Sequence, residues 1–144
     1  MWVGLSSKKS INVKEDIPLN SNTNTGKIIE LIENKLPNFS FYKTNIVKCL
    51  HLDKNKKLRY PTIEEMSKCI PNLLYEIETI NPKIIFLLGK KTYNFFITYL
   101  KQNNIKINSN YFYIEHPSYI YIYKRKYIDE YIFKVINIIK ENII

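Results

Sequence analysis

The sequence contains few of the residues that mark several common protein classes. It has two cysteines and three glycines in 144 residues. Two cysteines cannot form the disulfide framework of a small secreted domain, so a reducing compartment is favoured. The scarcity of glycine leaves no glycine-rich phosphate loop, which argues against an ordinary nucleotide-binding domain. No apolar run approaches the roughly 18–20 residues that a membrane span requires.

Basic residues outnumber acidic ones in this chain. There are 22 lysines and arginines against 13 acidic residues, which gives a net charge of +9. Such a balance favours binding to polyanions through counterion release, or to an acidic membrane surface. The chain is also rich in Ile, Asn, Lys and Tyr, as an AT-rich coding genome would produce. The alternative is therefore that codon bias explains the lysine content and that the lysines bind no partner.

The start of the chain and its length bear on location and domain number. Residues 1–5 have no basic segment before them and are predicted to be a strand rather than a signal peptide. We therefore expect a cytoplasmic protein that is a monomer and has no membrane partner. The length and the 45% content of hydrophobic residues predict a single domain over residues 1–144 with one core.

Apolar patterns alternate between strands and helices along the chain. Strands are predicted at residues 1–5, 41–49, 83–89 and 111–115, and helices around 28–32 and over 63–80, 92–100 and 126–143. The continuous apolar run before Gly89 is typical of a strand buried on both faces of a parallel sheet. The order predicts an α/β fold, a three-layer α/β/α sandwich with a central, mainly parallel four-stranded sheet.

Polar motifs stand at the ends of the predicted strands, where ligands bind in such sheets. They are Thr44-Asn45-Ile46-Val47-Lys48-Cys49, residues 82–89 (Pro-Lys-Ile-Ile-Phe-Leu-Leu-Gly) and His116-Pro117-Ser118. In this order they resemble motifs of the uracil-DNA glycosylase superfamily, most closely its bacterial and archaeal iron–sulfur members. Residues 61–73 also follow the spacing of that family's next helix.

The resemblance implies a DNA glycosylase that hydrolyses the N-glycosidic bond of uracil or a related altered base. Asn45 would recognise the Watson–Crick edge of a flipped base, since an amide offers both donors and an acceptor. His116 would donate to the negative charge that develops on the leaving base. Gly4 and Leu19 are expected to line the base-binding site, and Ser6 to hold the attacking water.

The family carries a loop after His-Pro-Ser that wedges the duplex open. That place holds the alternating stretch 119–123, in which Tyr119 is expected to stack on bases. The cations that follow are expected to hold DNA phosphates together with Ser118 and Lys90; they are Lys124, Arg125 and Lys126. Alternatively, residues 119–123 are an edge strand or a packing surface.

A second basic segment covers residues 50–60. Its cations are Lys54, Lys56, Lys57 and Arg59. We expect them either to face DNA on the same side or to be solvated charges only. His51 in this segment is interpreted as solvated or DNA-facing.

The sequence departs from the family at the first strand. Ser6 stands where active members have an Asp or Asn, and a serine cannot take a proton from water at neutral pH. Glu15 and Asp16 follow further along. Leu19 stands where the family has a stacking aromatic residue. These departures favour an alternative, a catalytically weak or inactive module that binds a base, nucleotide or DNA.

Cys49 and Cys69 match two of the four ligands of the family's iron–sulfur cluster. A [4Fe–4S] cluster needs four thiolates. We therefore expect no cofactor and no metal, with both cysteines acting as small buried residues. The alternatives are a cluster completed by a dimer and a zinc site that uses His51 with both cysteines.

Overall fold

The central element is one parallel β-sheet of four strands. The computed structural model describes residues 1–7 and 17–143. The strands are β1 (Trp2–Ser6), β2 (Lys43–Val47), β3 (Ile84–Leu88) and β4 (Asn110–Ile114). They lie in the order β2-β1-β3-β4, and every neighbouring pair is parallel. The carboxyl ends of all four strands therefore meet at one edge of the sheet.

Helices cover both faces of the sheet. They are α1 (Asn24–Asn34), α2 (Ile63–Ile80), α3 (Lys90–Gln102), α4 (Pro117–Tyr123) and α5 (Ile128–Ile143). Helices α1, α4 and α5 pack on one face, and α2 and α3 on the other. The predicted three-layer α/β/α fold is confirmed. Within the described part of the chain, no helix is long and apolar enough to cross a membrane.

The strands divide the apolar residues between two clusters, one on each face of the sheet, and not the one core that was expected, because a sheet covered by helices on both faces buries apolar side chains on each. Trp2 packs towards α1 and stacks on Phe86 with ring centroids 4.8 Å apart. Its neighbour Val3 packs on the α2 and α3 side. This alternation is the period-2 pattern of a strand. All five residues of β3 are buried, as its continuous apolar run predicts.

Residues 119–123 form most of helix α4, so the alternative of an edge strand is wrong. Pro117 occupies the first helical position, where its fixed φ is favourable and its missing N–H costs nothing. The ring of His116 accepts from the Ser118 N–H and caps the helix. A short 3-10 turn (Arg125–Tyr127) follows, so the last helix begins at Ile128 rather than at residue 126.

Lys48 connects strand β2 to helix α2. Its ammonium donates to Thr44 Oγ1 at 2.6 Å, to the Asn45 carbonyl at 2.7 Å and to Glu76 Oε2 at 2.9 Å. Thr44 Oγ1 also donates to Glu76 Oε2 at 2.8 Å. All three ammonium donors thus contact protein groups, two of which belong to Thr44 and Asn45 in the middle of β2.

Replacing Lys48 by methionine is expected to lower the free energy of unfolding by about 1–3 kcal/mol, because Glu76 loses its charged partner. Urea denaturation at neutral pH measures this change. Lys68→Met is the control, since Lys68 forms an exposed pair with Glu64 at 2.7 Å. Such pairs contribute about 0.5 kcal/mol or less. Equal losses in the two variants would contradict the structural role of Lys48.

Candidate active site

A pocket of about 740 Å³ opens at the carboxyl ends of the strands. Its wall is drawn from residues 4–7, 17–25, 58–60 and 88–92 and from Asn45, His116 and Ser118. Ligand sites of small molecules fall in this size range. The segments after β1, β2, β3 and β4 thus converge on one cavity, as expected for a parallel sheet.

Asn45 places a buried amide at the pocket. Its side chain is 3% exposed, and Oδ1 has no hydrogen-bond partner among the described residues. Gly4 lies opposite Asn45 in the β1–β2 register, and a Cβ at position 4 would collide with Asn45 Oδ1. Leu19 lies on the same side, with Cδ2 3.3 Å from that Cβ position. A side chain at position 4 would therefore displace the amide of Asn45.

His116 stands between β4 and α4, with its proton position determined by Ser118. The ring Nδ1 accepts from the Ser118 N–H at 3.3 Å and lies 2.7 Å from Ser118 Oγ. A backbone N–H can only donate, so Nδ1 is the acceptor nitrogen and the neutral ring carries its proton on Nε2. The ring packs on Gly89, whose φ of +86° is a backbone conformation that residues with a side chain rarely adopt.

The chain just before His116 is held by helix α5 and by an ion pair. Tyr131 Oη donates to the Glu115 carbonyl at 2.6 Å. Burial raises the pKa of Tyr131, so its hydroxyl stays a donor. Lys124 Nζ pairs with Glu115 Oε1 at 2.9 Å. These contacts fix the backbone from which the His116 ring projects.

The end of the segment 50–60 contributes residues 58–60 to the pocket wall. Arg59 donates to both carboxylate oxygens of Glu65, at 2.9 and 2.7 Å, and Glu65 also accepts from the Thr62 N–H. The Arg59 hydrogen bonds, followed by that from Thr62, lower the pKa of Glu65 to about 2. Tyr60 lines the pocket with the ammonium of Lys91 3.6 Å from its ring centroid. This part of the wall therefore carries the guanidinium of Arg59, paired with Glu65, and the aromatic ring of Tyr60, which the ammonium of Lys91 covers.

His51 is largely buried, which contradicts its interpretation as a solvated residue. Its side chain is 15% exposed, and Nδ1 lies 3.4 Å from Glu65 Oε1 because the segment folds back onto α2. Cys49 is exposed and Cys69 partly buried, so Cys49 is not the buried residue that we expected. Within the described residues, no three His, Cys, Asp or Glu side chains are placed to hold a metal ion. Two cysteines do not fit a four-thiolate cluster, and the absence of a cofactor stays a prediction.

The polar side chains that line the described pocket at the end of β1 are hydroxyl groups and not carboxylates. Within residues 1–7 and 17–143, no Asp or Glu lines the pocket. Ser6 and Ser7 do, and Ser7 Oγ donates to the Lys48 carbonyl at 3.4 Å. Glu15 and Asp16 lie outside the described residues. Ser6, the last residue of β1, thus lines the pocket as expected, and its role in holding a water stays a prediction.

The side chains expected to contact DNA lie on two surfaces. Tyr119 and Tyr123 are 45% and 73% exposed on α4, with ring centroids 5.2 Å apart. Arg125 and Lys126 are exposed in the turn that follows, whereas Lys124 is paired with Glu115. Lys90 and Ser118, which were also expected to contact DNA, line the pocket. Lys90 is an exposed cation, and Ser118 is the hydrogen-bond partner of His116.

Comparison with known proteins identifies the family. The sequence model of the uracil DNA glycosylase superfamily matches residues 11–139. The chain belongs to this superfamily, and the resemblance of its motifs is confirmed. The structure is similar to the crystal structure of wild-type Pedobacter heparinus SMUG2, with a TM-score of 0.66 over 97% of this chain and 74% of that chain. At 17% sequence identity this likeness shows the fold.

A curated relative matches the sequence more locally. The type-4 uracil-DNA glycosylase of Thermotoga maritima is 38% identical over 69 residues, which are 48% of this chain. The match covers 34% of that relative, so this chain corresponds to about a third of its length.

Sequence reasoning did not assign Tyr60, Lys91 or the hydroxyl of Thr25 to the pocket. The position of Tyr60 follows from the pairing of Arg59 with Glu65, the residue that completes the helix cap with Thr62. An arginine shortly before a predicted capping box is the signal that could have indicated that residues 59–60 fold back onto the start of helix α2. Nothing in the spacing indicates that the hydroxyl of Thr25 is buried, because its burial depends on how α1 packs against the sheet.

Proposed function

We propose that the protein is a monofunctional DNA glycosylase that hydrolyses the N-glycosidic bond of uracil or a related altered base in DNA. The observation that supports this most is that one pocket contains both a buried amide oxygen with no partner among the described residues and a histidine that carries its proton on Nε2. Asn45 Oδ1 accepts from the N3–H of the flipped base, and its amide nitrogen donates to O4. This complementarity favours a uracil-like edge.

His116 stabilises the base as its N-glycosidic bond breaks. The bond between the sugar C1′ and the base nitrogen cleaves, and its electron pair leaves with the base, whose O2 gains negative charge. The Nε2–H of His116 donates to that oxygen in the transition state, and such a donor accelerates reactions by about 10²–10³-fold. Ser118 contributes by keeping the proton on Nε2.

The attacking water requires positioning more than deprotonation. The sugar becomes oxocarbenium-like as the base leaves, and this cation reacts readily with a weak nucleophile. Water adds to C1′ and then releases its proton, while the base anion takes one up. Ser6 holds this water by hydrogen bonding. We expect a slower enzyme than one with a positioned carboxylate, because general base catalysis contributes about 10²–10⁴-fold.

A second candidate function is a binding module that holds a flipped base without cleaving its bond. Two observations favour it: within the described residues the pocket has no carboxylate, and Leu19 replaces the family's stacking aromatic. It shares the base recognition by Asn45 and differs only in the absence of a product.

Incubation with labelled oligonucleotides distinguishes these functions. Single- and double-stranded DNA would carry uracil, hypoxanthine or hydroxymethyluracil at one position, with thymine as the control. Alkali then cleaves any abasic site. We expect strand scission at uracil and none at thymine. Selective binding to uracil DNA with intact strands under all conditions would instead support the binding module.

The exposed turn after α4 is proposed to contact DNA phosphates. Lys126→Ala is expected to reduce the slope of log affinity against log salt concentration by about 0.9 for a duplex and about 0.7 for a single strand, as one lost phosphate contact requires. Lys140→Ala, at the far end of α5, is the control. Fluorescence anisotropy across a salt series measures both slopes. Equal slopes for Lys126→Ala and the unmodified protein would contradict this contact.

A further inference from the structure

We infer that Thr25 is a further substrate-contacting residue, whose hydroxyl forms a hydrogen bond with a polar group of the flipped nucleotide. The inference rests on the proposed function, because it takes the pocket to hold that nucleotide. Thr25 is 2% exposed and lines the same pocket as Asn45 and His116. Its Oγ1 is buried and has no hydrogen-bond partner among the described residues.

The position of Thr25 in helix α1 makes an unpartnered hydroxyl unexpected. A threonine at a helix start ordinarily caps the helix or bonds to a nearby carbonyl. Thr23 does both: its Oγ1 accepts from the Gly26 N–H at 3.0 Å and donates to the Asn20 carbonyl at 2.7 Å. The local requirement for a cap is therefore already met. Thr25 Oγ1 takes no part in it.

Burial of an unpaired hydroxyl lowers stability, and valine would fill the same space without that cost. A ligand atom that pairs with Oγ1 would recover the lost hydrogen bond. Asn45 Oδ1, on the β2 side of the pocket, is likewise buried and has no hydrogen-bond partner among the described residues. Two buried polar atoms without a partner in the described part of the chain, one on the sheet and one on α1, fit a ligand with polar groups at two places. A nucleotide has this character, with a base edge and a sugar–phosphate.

The setting of Thr25 also suits an anionic or strongly polar group. It lies in the first turn of α1, where backbone N–H groups and the helix dipole favour negative charge. No acidic residue stands in that turn to compete for it. The hydroxyl can therefore meet either the base edge or the sugar–phosphate of the flipped nucleotide, and the shared chemistry is a hydrogen bond to an acceptor or donor on that nucleotide.

Thr25→Val and Thr25→Ser test the inference as a matched pair. We expect Thr25→Val to reduce kcat/KM on uracil DNA by about 10-fold or more while its Tm stays equal or rises. Thr25→Ser should keep kcat/KM within about threefold of the unmodified protein. A hydroxyl with a purely structural role predicts the opposite, a lower Tm for Thr25→Val with unchanged kcat/KM, and that result would overturn the inference.

Binding measurements separate this inference from the proposed function. If the unmodified protein excises uracil and Thr25→Val does so equally well, the inference fails and the function stands. If no excision occurs but Thr25→Val weakens selective binding to uracil DNA, the inference stands and the function fails. A tetrahydrofuran abasic analogue identifies the group contacted: a loss of affinity that persists on it assigns the sugar–phosphate, and a loss confined to uracil DNA assigns the base.

Discussion

Replacing His116 by alanine is expected to slow uracil release by about 10²–10³-fold under single-turnover conditions. The variant loses the Nε2–H donor that stabilises the departing base, while Asn45 still recognises it. Affinity for uracil DNA should therefore change far less than the rate. Rapid quench with alkaline cleavage measures the rate, and fluorescence anisotropy measures the affinity.

Two further variants make the effect of His116 specific. Ser118→Ala keeps the backbone N–H that fixes the tautomer but removes the hydroxyl 2.7 Å from Nδ1, so we expect a loss smaller than for His116→Ala. His51→Ala removes the other histidine, which lies outside the pocket wall, and should leave the rate unchanged. A His116→Ala protein within about threefold of the unmodified rate would refute the assigned role.

Replacing Asn45 by leucine is expected to reduce kcat/KM on uracil DNA by about 10²-fold, since two hydrogen bonds to the base edge are lost and each contributes about 1–1.5 kcal/mol. Leucine has a similar size and removes a buried oxygen that has no partner among the described residues. The free energy of unfolding should therefore stay equal or increase. Steady-state kinetics and urea denaturation measure the two quantities.

Asn72→Leu provides the control for Asn45→Leu, because Asn72 is exposed on helix α2 and is not among the residues that line the described pocket. It should leave kcat/KM unchanged. A loss of stability in Asn45→Leu with undiminished activity would show that the amide has a structural role and that another group recognises the base.

The sheet and the convergence of its motifs were accessible from the sequence. The continuous apolar run of β3 and the alternation at Trp2 and Val3 reflect which side chains are buried. Burial of this kind can be predicted from the pattern of apolar residues in the sequence. Because parallel strands end at one edge, motifs after separate strands were expected to meet. Asn45 and His116 indeed line one pocket although 71 positions separate them in the sequence.

The remaining features depend on contacts that single residue types do not reveal. Alternating Tyr and Ile in residues 119–123 has the period of a strand, but Pro117 and the cap from His116 determine a helix. The burial of His51 follows from a contact with Glu65 fourteen positions away. The burial of the Thr25 hydroxyl, which has no partner within residues 1–7 and 17–143, likewise depends on packing and not on local sequence.

The most direct measurement is release of the free base in heavy-oxygen water. Uracil DNA would be incubated with the protein in excess, and the products analysed by mass spectrometry. We predict equal amounts of free uracil and abasic strand, a heavy oxygen at C1′ of the abasic sugar, and loss of both products in His116→Ala. Intact uracil DNA that stays bound in an Asn45-dependent manner, with no free uracil after prolonged incubation, would contradict the assignment of a glycosylase.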